Sequence, residues 1–110
     1  MKVIYKYSMP IEDSFSLELP ADAQFLTLEL QNNWPMLWFM MDKDAERVYK
    51  HFCIVGTGQE MPIWYGVRLK YLGTIQIDGF VWHLFQKHVV ETAKSDHAID
   101  AMGYLMQGYK

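Results

Sequence analysis

A chain of 110 residues and 13.0 kDa, 51% hydrophobic and 15% aromatic, has the composition of one folded domain and not of a disordered segment. Ten basic residues against thirteen acidic ones leave a formal charge of −3, which gives no electrostatic footprint for duplex nucleic acid and is too small for an acidic mimic of DNA. Cys53 has no second cysteine to pair with, the opening residues lack a signal-peptide run, and the longest apolar run, Met36 to Met41, is far short of the roughly 20 residues that cross a bilayer. A cytoplasmic protein with no membrane partner is expected.

In chain order, Val3, Tyr5 and Tyr7 alternate with Lys2, Ile4 and Lys6, the pattern of a half-buried strand that ends at Met9-Pro10. After a turn at Glu12-Asp13, Phe15, Leu17 and Leu19 alternate with Ser14, Ser16 and Glu18 until Pro20-Ala21-Asp22 breaks the run; Leu26, Leu28 and Leu30 define a third strand. Asn32-Asn33-Trp34-Pro35 is predicted as a tight turn, and the apolar run Met36 to Met41 as a central strand covered on both faces. Asp42 to Glu46 is a polar break, Val48 to Val55 a further strand, and 56–66 a long loop opening on Gly56-Thr57-Gly58. Val67, Leu69 and Tyr71 alternate with Arg68 and Lys70, Gly73 marks a bulge or bend, and Asp78-Gly79 is the dipeptide of a type I′ hairpin whose returning strand is Phe80 to Phe85.

From Glu91 the period lengthens. Ile99, Met102, Met106 and Tyr109 fall on one side of a 3.6-residue helix, with Ser95 as N-cap, Asp96 as a first-turn charge and Gly108 as the closing residue. The expected fold class is therefore α+β in a single domain. Six to seven antiparallel strands over 1–86 form a meander sheet or a partly open small barrel, with one C-terminal amphipathic helix at 95–108.

The chemistry-bearing residues each carry an ordinary structural alternative. His51 and Cys53 share one face of a predicted strand, as a base and nucleophile would, but no orienting group or oxyanion hole accompanies them, and a buried core thiol is the commoner arrangement. With His83, His88 or His97 they lack zinc-ligand spacing, so neither metal nor cofactor is expected. Gly56, Thr57 and Gly58 follow a strand and offer successive N–H groups to a phosphate, although no helix follows as a P-loop requires. Trp38 and Trp82 sit in strand patterns and are expected in the core; Trp34 and Trp64 sit in a turn and a loop, where an exposed ring calls for a ligand or partner. Arg68 shares a strand face with Lys70, and Gly56 to Gly58, Trp64 and Arg68 would together make a nucleotide-sized anion pocket if they converge.

Several segments in order, Val3 to Tyr7, Leu19-Pro20-Ala21-Asp22-Ala23, Gln31-Asn32-Asn33-Trp34-Pro35-Met36-Leu37-Trp38, Gly56-Thr57-Gly58 and Val81-Trp82-His83-Leu84-Phe85, resemble small, uncharacterised, bacteriophage-encoded β-rich proteins over residues 2–86. That resemblance implies a phage accessory protein in the cytoplasm of a host bacterium and lends no catalytic residues. Asp96 to Tyr104 is also similar to the last helix of phage terminase nuclease domains, where an acidic residue serves the metal site. Residues 1–86 show no recognisable set of partner carboxylates for two-metal hydrolysis, so an Asp-capped helix packed on the sheet is the reading kept.

Two functions follow as expectations. The first is a non-enzymatic anti-defence binder that sequesters a small anionic, nucleotide-derived signal through Gly56, Thr57, Gly58, Trp64, Arg68 and Trp34, with a homodimer favoured over a monomer. The alternative is an inhibitor or modulator of a host or phage enzyme, binding protein through a sheet edge or the helix face Ile99, Met102, Met106 and Tyr109.

Overall fold

The computed structural model describes residues 1–90, which form seven strands. They are β1 (Lys2–Ser8), β2 (Ser14–Pro20), β3 (Gln24–Gln31), β4 (Trp34–Asp42), β5 (Arg47–Gly56), β6 (Val67–Ile77) and β7 (Phe80–Val89). Three of them make a sheet of order β1-β4-β3 and four a sheet of order β2-β5-β7-β6, with every pairing antiparallel. The α+β class, with its meander sheet or partly open barrel, is thereby corrected: the described residues are all-β and divided between two sheets. Residues 95–108, where the helix is expected, lie outside the described residues, as do Ile99, Met102, Met106 and Tyr109.

The physical reason lies in the connections. Only β3–β4 and β6–β7 are hairpins between neighbours, whereas β1 to β2, β2 to β3 and β4 to β5 each pass from one sheet to the other. Period-2 alternation records that a strand has one buried face; it does not record whether a helix or a second sheet covers that face. Here the cover is a sheet. Leu37, Phe39 and Met41 of β4 share one buried cluster with Phe15 and Leu19 of β2, Phe52 and Ile54 of β5 and Leu84 of β7. Phe39 sits in its middle, edge-on to Tyr7 at 5.8 Å, to Phe25 at 5.7 Å and to Phe52 at 6.4 Å between ring centroids. Such T-shaped contacts set the positive edge of one ring on the negative face of another.

Two local expectations change in detail. Asn32 and Asn33 both take left-handed φ, 53° and 63°, and close the β3–β4 hairpin by themselves, so Trp34 and Pro35 belong to the strand and not to the turn. Asn tolerates this region because its short polar side chain bonds locally, and no glycine is needed. Strand β4 is central in its sheet, but only one of its faces is fully buried; Met36, Trp38 and Met40 on the other are half-buried, with the Lys6 ammonium 5.8 Å from the Trp38 ring centroid. The β6–β7 hairpin turns at Asp78-Gly79 with φ of 50° and 82°, and the β6 register shifts between Tyr71 and Gly73, both as expected.

Phe39→Ala removes the ring that joins the two sheets and should lower the unfolding free energy by about 3–5 kcal/mol in urea titrations. Tyr49→Ala, on an exposed side chain of β5, should stay within about 0.5 kcal/mol of the parent.

Candidate functional site

On β5, alternation puts Val48, Lys50, Phe52 and Ile54 on the face turned toward the other sheet; on β7 the same face carries Leu84, Gln86 and His88. Pairing of β6 with β7 adds Lys70 opposite Gln86 and Arg68 opposite His88. The inner face of the four-stranded sheet is therefore apolar at its Leu84 end and cationic at its His88 end. At that end the sheets part around a cleft of about 550 Å³. One wall is Ala23 with Gln24, Phe25 and Leu26 of β3; the other is Lys50, Lys70, Tyr71, Leu72, Gln86 and His88. Among the described residues no carboxylate lines it.

Lys50 crosses the gap and donates from Nζ to the Ala23 carbonyl at 3.1 Å. The Nε2 atom of His88 is buried without a hydrogen-bond partner among the described residues. Burial holds the His88 pKa below 6.5, and the charges of Lys70, Arg68 and Lys50 push the same way. The neutral imidazole thus lies among three cations.

The opposite face of this sheet is built differently. Ser14, Cys53 and Phe85 form one cross-strand row, and Ser16, His51 and Lys87 the next. The ring of Trp64, from the segment between β5 and β6, lies over Lys87, with Nζ 4.2 Å from the ring centroid. Lys87 is only 6% exposed and donates to Ser14 Oγ at 2.9 Å. Burial lowers its pKa below 10.5. It also pushes the Cys53 thiol up, against a smaller opposing effect of Lys87. His51 shares this face with Cys53, but its Nδ1 is hydrogen-bonded to Ser16 Oγ at 2.7 Å. A buried, protonated thiol beside an already engaged imidazole is a poor nucleophile.

The turn at Gly56-Thr57-Gly58 closes on itself. The Gly56 N–H donates to Gln59 Oε1 at 2.7 Å, the Thr57 N–H to the Val81 carbonyl at 3.1 Å, and the Gln59 N–H to the Gly56 carbonyl at 3.0 Å. Gly58 supplies a φ of 90°. A Cβ at Gly56 would stand 3.3 Å from the Trp82 ring, so close packing accounts for that glycine. Thr57 Oγ1 and Thr74 Oγ1 bracket His83, each 2.8 Å from one ring nitrogen.

The six residues nominated from sequence are therefore distributed over the molecule. Gly56, Thr57 and Gly58 stand at the end of β5, Trp64 covers Lys87 on the outer face of the four-stranded sheet, Arg68 is on its inner face, and Trp34 begins β4 in the other sheet. Trp64 and Arg68 do not converge. Arg68 and Lys70 instead keep company with Lys50 and His88, and Lys50, Gln24 and Gln86 join them without having stood out in the sequence. The signal for Lys50 and Gln86 was present, since each falls two residues from a core position, Phe52 and Leu84, on the apolar face of its strand. Among the described residues no three of His, Cys, Asp and Glu lie close enough to hold a metal, and no helix is long and apolar enough to cross a membrane.

Residues 1–95 match the model of a family described as a domain of unknown function, DUF7352. Neither a curated protein nor a solved structure matches the chain.

The buried thiol should resist a disulfide reagent in the native protein and react stoichiometrically once denatured; rapid native labelling of Cys53 would contradict its placement. Acid should destabilise the fold. Burial and the Lys87 charge lower the His51 pKa, and burial with the three cations lowers that of His88, so the unfolded chain binds more protons than the folded one just below pH 6.5. Stability present above that pH is lost as pH falls through the folded-state values. The melting temperature should drop between about pH 7.5 and pH 5, and less steeply in a His51→Gln, His88→Gln double variant.

Proposed function

The chain belongs to the DUF7352 family, and since membership brings no activity with it, we propose from the chain's own residues that it is a non-enzymatic binder of a small anion. One observation carries this reading: among the described residues, the inter-sheet cleft is lined by Lys50, Lys70 and His88 and by no carboxylate. Its volume of about 550 Å³ is that of an ordinary small-molecule pocket. The cations supply charge-assisted hydrogen bonds to phosphate, the Gln24 and Gln86 carboxamides can both donate to and accept from the edge of a heterocycle, and Phe25 offers ring surface. A nucleotide-derived ligand uses all three.

Sequestration asks for this much and no chemistry. The resemblance to phage-encoded proteins supports an anti-defence role, in which the protein removes a nucleotide signal from the cytoplasm of a host bacterium. Of the residues first nominated, Arg68 remains beside the cleft, while Gly56 to Gly58, Trp64 and Trp34 stand away from it.

Native mass spectrometry of the protein purified from bacteria that make nucleotide signals should show a stoichiometric small anion and read, in the same spectrum, whether two copies pair. A Lys50→Ala, Lys70→Ala double variant should bind that anion at least about tenfold more weakly, the equivalent of one charge-assisted hydrogen bond, with unchanged circular dichroism. Equal affinity in the folded variant would overturn the cleft. A ligand-free parent would favour the alternative, an inhibitor or modulator that binds a host or phage enzyme through a sheet edge or the C-terminal helix face.

A further inference from the structure

We propose that His88 is the proton-linked contact of the cleft, taking up a proton as the anion binds, so that binding tightens as pH falls. This rests on the anion-binding reading of the same cleft and adds its regulation. His88 lines the cleft from β7, and its Nε2 is buried with no partner among the described residues, a state that native structures seldom leave uncompensated. Among the described residues, every charged group that faces it is a cation: Lys50 from β5, Lys70 and Arg68 from β6. The facing segment of β3 and its lead-in, residues 23–26, carries no titratable side chain.

In the empty cleft a proton on His88 would be both poorly solvated and repelled by its neighbours, so the imidazole is neutral near pH 7. An anion in the cleft removes the second of these costs. Its charge offsets the field of the three cations, so the imidazolium becomes the favoured form while Nε2 keeps its buried position. By linkage, what draws the proton in when the anion binds also draws the anion in when the proton binds.

The probe is 3′,5′-cyclic AMP, a phosphodiester with no second phosphate proton to titrate, used with the full chain in calorimetry at about pH 8 and about pH 5.5. Affinity should be higher at about pH 5.5 than at about pH 8, rising by up to about tenfold per pH unit between the bound-state and free-state midpoints of His88. Titrations in buffers of different ionisation enthalpy should show uptake of up to about one proton per ligand. His88→Gln should still bind and lose both effects. In the parent protein, the midpoint of the His88 ring resonances in NMR should move upward when the probe is added, a readout that needs no variant to fold. Binding by the parent with no pH dependence and no midpoint shift overturns the proton linkage while leaving the cleft in place. Failure of both cyclic AMP and sulfate to bind at either pH overturns the cleft reading, and the linkage with it.

Discussion

Phe39 of one sheet meets Phe52 of the other edge to face, and the spacing that this contact imposes governs what the remainder of the inner surface can do. Around it the two sheets are filled by Leu37, Met41, Phe15, Leu19, Ile54 and Leu84. Because strand side chains repeat every two residues, the strands that deliver Phe52 and Leu84 to the core must also deliver Lys50, Gln86 and His88 to the same side. Those polar groups lie beyond the apolar cluster, where β3 faces β6 across the cleft. The packed core and the cationic cleft are two ends of one surface, and neither can be shifted by a residue without displacing the other.

The outer face of the four-stranded sheet obeys a different logic. A lysine at 6% exposure stays tolerable because its ammonium has the face of Trp64 on one side and the Ser14 hydroxyl as an acceptor. The covering ring belongs to an irregular segment, so the same contact that shelters Lys87 also fixes the path between β5 and β6. Trp64 thereby finds a structural occupation that its place in a loop did not advertise. The polar chain from Thr57 through His83 to Thr74 plays a similar part at the neighbouring turn, engaging both imidazole nitrogens.

The strands were legible almost throughout, since Phe15-Leu17-Leu19 or Val67-Leu69-Tyr71 alternate cleanly and Asp78-Gly79 admits one turn type. Their division into two sheets was not, because three sheet-to-sheet crossings look, in one dimension, like ordinary loops. Trp34 and Pro35 have the composition of a turn, although Asn32 and Asn33 supply the left-handed pair without them. For the site, sequence recognised that Arg68 and Lys70 share a face but attached them to the nearest loop. Their actual neighbours, Lys50 and His88, are brought in by pairing across β5, β7 and β6, a relation fixed by register and not by proximity along the chain. The telling sign was a charge or carboxamide at an in-phase position of an otherwise apolar strand face, as at Lys50 and Gln86.

The proposed function depends on an anion occupying the cleft between the sheets. Titrating the isotopically labelled full chain with cyclic AMP and following backbone amide shifts tests it at every residue at once. The account predicts that perturbations concentrate on Gln24, Lys50, Lys70, Gln86 and His88, which meet only through the fold. Shifts confined to Gly56 through Trp64 would contradict it and return the ligand to the loop.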